Sequence, residues 1–119
     1  MTDAPVACDL GQLDAVERAR QQTTLEAVRA GVRAVEERPD GYAFTFDSDT
    51  ESLTRLAEFI ALESRCCAFL DFRLDVKAGS GAAVLSVTGG AGAKEFVAAE
   101  LVAAGHKPPS RKLPVLQNE

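Results

Sequence analysis

Tryptophan is absent from the 119 residues, and tyrosine, methionine and histidine occur once each. Without Trp, the large aromatic contribution to a core falls to six phenylalanines. Nowhere does the chain approach the ~18 to 20 uninterrupted apolar residues that a membrane helix requires. The opening Met1-Thr2-Asp3-Ala4-Pro5 lacks the charged start and apolar run of a secretory signal, so a cytoplasmic location is expected. Positive charge is not in excess either. Thirteen Lys and Arg face eighteen Asp and Glu, a net charge of −5, which makes sequence-independent binding to phosphate backbones unfavourable. Nucleic acid is therefore not an expected partner, and neither is a membrane.

The residues that are present suit one small domain, with 46% apolar and 26% charged positions. Twenty of them are alanine, so the core is smaller than the apolar fraction suggests. The compositional break follows Ala104. From Gly105 the segment carries Pro108, Pro109 and Pro114 with no helical or strand period. Residues 1–104 are expected to form the domain and 105–119 an extended tail.

Alternation of Val6, Cys8 and Leu10 reads as a short strand that turns Cys8 inward. A weakly amphipathic helix is expected from about Gln12 to Ala30, capped by Asp9 or Gly11, with Leu13, Val16, Thr23 and Ala27 as its stripe. Arg38-Pro39-Asp40-Gly41 has the residues of a tight turn between strands Val32 to Glu37 and Tyr42 to Asp47. Ser48 followed by Glu51 reads as a capping box for a helix over Asp49 to Cys67, with Leu53, Leu56, Ala57 and Ile60 at helical spacing. Leu70, Phe72, Leu74 and Val76 alternate with Asp71, Arg73, Asp75 and Lys77, the pattern of a half-buried strand. Ala78-Gly79-Ser80-Gly81 turns it into a partner strand from Ala83 to Thr88, and a last helix would bury Ala93, Phe96, Val97, Leu101 and Ala104. The order βα-ββ-α-ββ-α predicts an α+β fold, a mainly antiparallel sheet of four or five strands with helices on one face. The polar strand face is open to solvent or to a second copy, so monomer and homodimer both stand.

The chemistry rests on Cys8, Cys66 and Cys67. A disulfide within the adjacent pair closes a strained ring, so a structural bond between Cys66 and Cys67 is disfavoured. At 100° per residue, Glu63 lies one helical turn before both thiols and shares their face. A carboxylate at the rim of a core needs compensation, from Arg65, from Arg73 or from a bound cation. The pair ends its helix, where the macrodipole disfavours a thiolate nucleophile. His106, the only histidine, sits in the tail, so a Cys–His pair requires that tail to fold back. A soft metal ion stabilises the thiolates it binds. Cys8, Cys66 and Cys67, with Glu63 or water as fourth ligand, suit Zn(II), and two or three sulfurs suit Cu(I) or Hg(II). Two alternatives stand beside this one: three inert core cysteines, and a redox protein with a reversible bond from Cys8 to Cys66 or Cys67. An enzyme is the less expected outcome. Gly89-Gly90-Ala91-Gly92 reads as a tight turn rather than an anion site, and Asp47, Asp49 and Glu51 as helix capping rather than a hard-cation site.

The segments Glu63-Ser64-Arg65-Cys66-Cys67-Ala68-Phe69 and Gly89-Gly90-Ala91-Gly92-Ala93-Lys94, with Cys8 and Pro39-Asp40-Gly41-Tyr42, resemble a small bacterial family without an assigned activity. That family has an early Cys, a Glu-x-x-Cys-Cys-Pro-Phe segment and a Gly-Pro-x-Gly-Ala helix start, and the likeness spans roughly Val6 to Leu101. Ala68 and Gly90 stand where the family has proline, which touches no candidate ligand. The resemblance implies that Cys8 acts together with the pair, and it points toward heavy-metal handling.

Overall fold

The computed structural model describes residues 9–103. Two hairpins make the sheet. In the first, β1 (Ala34–Arg38) and β2 (Gly41–Asp47) are joined by the two-residue turn Pro39-Asp40, with Arg38 opposite Gly41. In the second, β3 (Leu70–Val76) pairs antiparallel with β4 (Ala82–Gly89). β2 and β4 also pair antiparallel, so the order is β1-β2-β4-β3 and the hairpins meet through their second strands. Close approach there demands glycine: a Cβ on Gly41 would lie 2.0 Å from the Val87 carbonyl oxygen.

The period-2 pattern sets the two faces of the sheet. Register places Phe44 opposite Leu85 and Leu85 opposite Leu74, while Phe46 faces Ala83 and Tyr42 faces Val87. These side chains meet Leu25 and Val28 of α1 (Ala15–Gly31), Leu56 and Phe59 of α2 (Thr50–Cys66), and Val97 of α3 (Ala93–Val97) in one core. Leu101 joins them from a π-helical continuation, Ala98–Ala103. Asp71, Arg73 and Asp75 are exposed on β3, as the alternation predicts. The architecture is α+β with a four-stranded antiparallel sheet, and among the described residues no helix is long and apolar enough to cross a membrane.

Several local expectations are corrected. Leu10 belongs to a 3-10 turn, Leu10–Gln12, and not to a strand; Val6 and Cys8 lie outside the described residues. Asp9 caps that turn, whereas α1 starts later on a capping box in which Asp14 accepts from the Glu17 backbone N–H and Glu17 accepts from that of Asp14. The buried side of α1 is Gln21, Thr24, Leu25 and Val28; Val16 is 69% exposed, and Thr23 is exposed as well. α2 is capped by Asp49, whose carboxylate accepts from the Ser52 N–H, in place of the Ser48–Glu51 box. Phe59 and Leu62 carry its burial, with Leu53 and Ile60 packed beside the core and Ala57 exposed. Ala104 and the 105–119 segment, His106 included, lie outside the described residues.

A candidate metal centre at the end of α2

A second, smaller apolar cluster gathers where α2 ends. Leu13, Leu62, Cys66 and Cys67 form it, and Phe69, Leu70 and Phe96 pack against it. Cys66 is the last residue of the helix and Cys67 its C-cap, whose N–H still donates to the Glu63 carbonyl at 2.7 Å. The helix therefore holds its geometry through the pair and delivers Glu63, one turn earlier, to the same side. The incoming chain is tied to this end: the Asp9 N–H donates to the Cys66 carbonyl at 2.7 Å. Arg65 donates to Glu17 at 2.5 Å and to the Gln12 carbonyl at 2.8 Å, fixing the start of α1 against the end of α2.

Glu63, Cys66 and Cys67 are all buried, at 5%, 2% and 0% exposure, and their ligand-type atoms lie within 4.8 Å of one another. The two Sγ atoms are 3.8 Å apart, and Cys67 Sγ is 3.3 Å from Glu63 Oε1. Such a buried carboxyl with two sulfurs can hold a metal ion. The sulfurs differ in state: Cys66 is a free thiol, and Cys67 is disulfide-bonded. Cys8, the third cysteine, lies outside the described residues.

Electrostatics at the site follow from burial. Desolvation raises the Glu63 carboxyl above its ordinary value, and the nearby Glu100 adds to the rise. A hydrogen bond from Gln21 opposes it, as does the more distant charge of Arg29. Phe59, Phe72 and Phe96 wall a small cavity into which Gln21, Glu63 and Glu100 also face, so the carboxyl sees mostly apolar surroundings. Burial pushes the Cys66 thiol up to about 11, with Glu63 contributing in the same direction. Both acids are thereby held toward their protonated forms.

The sequence placed Glu63, Cys66 and Cys67 together correctly, but neither arginine it offered as compensation reaches the carboxyl. Arg65 pairs with Glu17, and Arg73 pairs with Asp75 on the exposed edge strand. Gln21 of α1 does meet that carboxyl, its Nε2 donating to Oε2 at 2.5 Å. Its signal was present: Gln21, Thr24, Leu25 and Val28 follow the i, i+3, i+4, i+7 spacing of one helix face. A buried glutamine on that face requires a partner inside the fold.

Comparison of the chain with family models, with curated proteins and with solved structures finds no match in any of the three.

Proposed function

We propose that the chain binds one soft metal ion, or a thiol-reactive ligand of like chemistry, through Cys66, Cys67 and Glu63 with Cys8 as a third thiolate. The observation that carries this reading is the buried grouping of a carboxyl and two sulfurs within 4.8 Å. Burial makes the Glu63 carboxyl and the Cys66 thiol costly to ionise where they stand. A cation reverses that cost, because its charge stabilises thiolates and carboxylate together and the protons leave to solvent. Three sulfurs with Glu63 suit tetrahedral Zn(II), and the sulfurs alone suit Cu(I) or Hg(II).

The test is titration of the reduced chain with Zn(II), Cu(I) and Hg(II), comparing wild type with Cys8→Ser and with Cys66→Ser/Cys67→Ser. One equivalent of ion should bind with proton release. At free ion 100-fold above Kd, unfolding should be harder by ~2.7 kcal/mol. Equal binding by wild type and both variants rejects the site.

A second reading has its own support: Leu13 and Leu62 share one buried apolar cluster with both cysteines, as they would with inert apolar residues. It expects no thermal stabilisation by any of the three ions.

A further inference from the structure

We propose that the edge strand β3 is a self-association surface, on which a second copy of this chain pairs its own β3 antiparallel in the register centred on Leu74. Among the described residues, the sheet order β1-β2-β4-β3 leaves β3 with a strand neighbour on one side only. Its other side is a row of backbone N–H and C=O groups, a template for another strand. Edges are ordinarily blunted by an inward-pointing charge, a proline or a bulge. The opposite edge, β1, has the first two. Glu37 pairs with Tyr42 and so stands on the helix-facing side, where it meets Lys94 of α3, and Pro39 follows the strand directly. β3 has none of the three: its pairing with β4 is continuous, and Phe72, Leu74 and Val76 occupy its helix-facing side. Phe72 and Leu74 are half-buried, and Val76 is 51% exposed.

The register follows from the charges. A two-fold axis at Leu74 sets Arg73 opposite Asp75 of the second copy and Asp71 opposite Lys77, and symmetry repeats each contact. Every charge in the alternation Asp-x-Arg-x-Asp-x-Lys then meets its opposite. On the helix-facing side the same axis sets Leu74 against Leu74 and Phe72 against Val76, an aromatic and β-branched pair that covers the exposed valine. Moving the axis to Arg73 opposes that residue to itself and Asp71 to Asp75, which repel. Moving it to Phe72 keeps Asp71 opposite Arg73 but sets Asp75 against Phe69, which packs on the cysteine cluster.

Within one chain, Arg73 Nε already lies 3.2 Å from Asp75 Oδ2, with both side chains exposed. Across the axis, two such pairs merge into a group of alternating charges that an isolated chain cannot form. Pairing like edges also closes the assembly, because each copy carries one β3 and the blunted β1 stays outermost. Two four-stranded sheets become one continuous sheet.

The experiment uses the full chain, reduced and with a chelator present, so that neither a disulfide nor a bridging ion links two copies. Molar mass is read by sedimentation equilibrium over a dilution series. Wild type should be a dimer that dissociates on dilution. Arg73→Glu sets the introduced glutamate opposite Asp75 at both contacts, and Asp75→Arg sets the introduced arginine opposite Arg73. Each variant alone should therefore dimerise at least about 10-fold more weakly. Mixed in equal amounts, the two should recover the dimer, since one copy then brings two acids and the other two arginines to the paired positions. Misfolded chains would not recover in this way, and circular dichroism checks each variant separately. A wild type that stays monomeric up to millimolar concentration overturns the proposal, and so does a mixture that forms no dimer. A dimer that survives in both variants uses another surface and overturns it as well. Survival in one variant only overturns the register centred on Leu74, and survival in Asp75→Arg alone moves the axis to Phe72.

Discussion

Gln21 on α1 donates its side-chain amide to the Glu63 carboxyl on α2, so a buried polar contact joins the two helices directly behind the cysteine pair. Removing the donor leaves a buried acceptor with one partner fewer. Gln21→Leu should therefore cost about 1–3 kcal/mol at neutral pH despite the added apolar surface. Urea unfolding measures this; a gain in stability would mean that the contact is dispensable.

The same carboxyl makes stability depend on pH in an unusual direction for a glutamate. Its folded value is raised above the ordinary 4.5, so between the two values the folded chain binds more protons than the unfolded chain. The stabilisation is complete below the unfolded value and is lost as pH rises through the folded one. The difference in unfolding free energy between wild type and Glu63→Gln isolates this group from the other acids. It should shift in favour of Glu63→Gln as pH rises from 4 to 8, and a flat difference would contradict the raised value.

Cys66 should behave as a protected and weakly acidic thiol. With its ionisation pushed up to about 11 and its side chain buried, alkylation by iodoacetamide should be slow at neutral pH. The rate should climb about tenfold per pH unit through pH 10, where an ordinary thiol levels off near its own value. Between the ordinary 9.0 and the raised value, the folded chain again holds the extra proton, so stability falls with rising pH in that window too. A rate that saturates by pH 9 would show that the thiol is not desolvated.

Legibility in the sequence tracked how closely burial followed polarity. β3 was readable because its half-buried positions, Leu70, Phe72 and Leu74, are apolar and evenly spaced, whereas on α2 the span was readable but of the expected stripe only Leu56 is fully buried. α1 was not readable, because it buries Gln21 and Thr24 and exposes Val16, so a search for apolar residues picked the wrong stripe. Ser48 and Asp49 are adjacent residues that can both cap, and only the chain path chooses Asp49. Glu63, Cys66 and Cys67 were brought together by the helical repeat alone. The partner of Glu63 depended on how α1 crosses α2, which no local pattern encodes.

Phe69 and Phe96 meet edge to face with ring centroids 4.9 Å apart, and both pack on the cluster that contains Cys66 and Cys67. Phe96→Ala removes a half-buried ring and its aromatic partner, at a cost of about 2–4 kcal/mol. It should also speed Cys66 alkylation under conditions where the fold is intact by circular dichroism. Unchanged labelling in a folded Phe96→Ala protein would mean that the ring pair does not shield the site.

Gly89 links the sheet to this site through lack of space. It pairs with Leu70 across the β3–β4 ladder, and a Cβ there would sit 2.6 Å from Ala93 Cβ and 2.7 Å from the Phe69 carbonyl oxygen. One of those atoms opens α3, and the other belongs to the residue two positions after Cys67. Gly89→Ala must therefore push α3 and the post-cysteine segment apart, destabilising the chain by about 1–3 kcal/mol. Because Phe69 and Phe96 move with those segments, Cys66 should also become easier to alkylate well below the denaturant midpoint. Gly79→Ala is the control: Gly79 has φ 75° with open space around it, so alanine there meets conformational strain of about 1–2 kcal/mol but no collision. It should lower stability while leaving Cys66 protected at matched fractions folded. If both alanine variants expose Cys66 alike, lost stability rather than displaced packing explains the labelling, and the proposed link from Gly89 to the cysteine site fails.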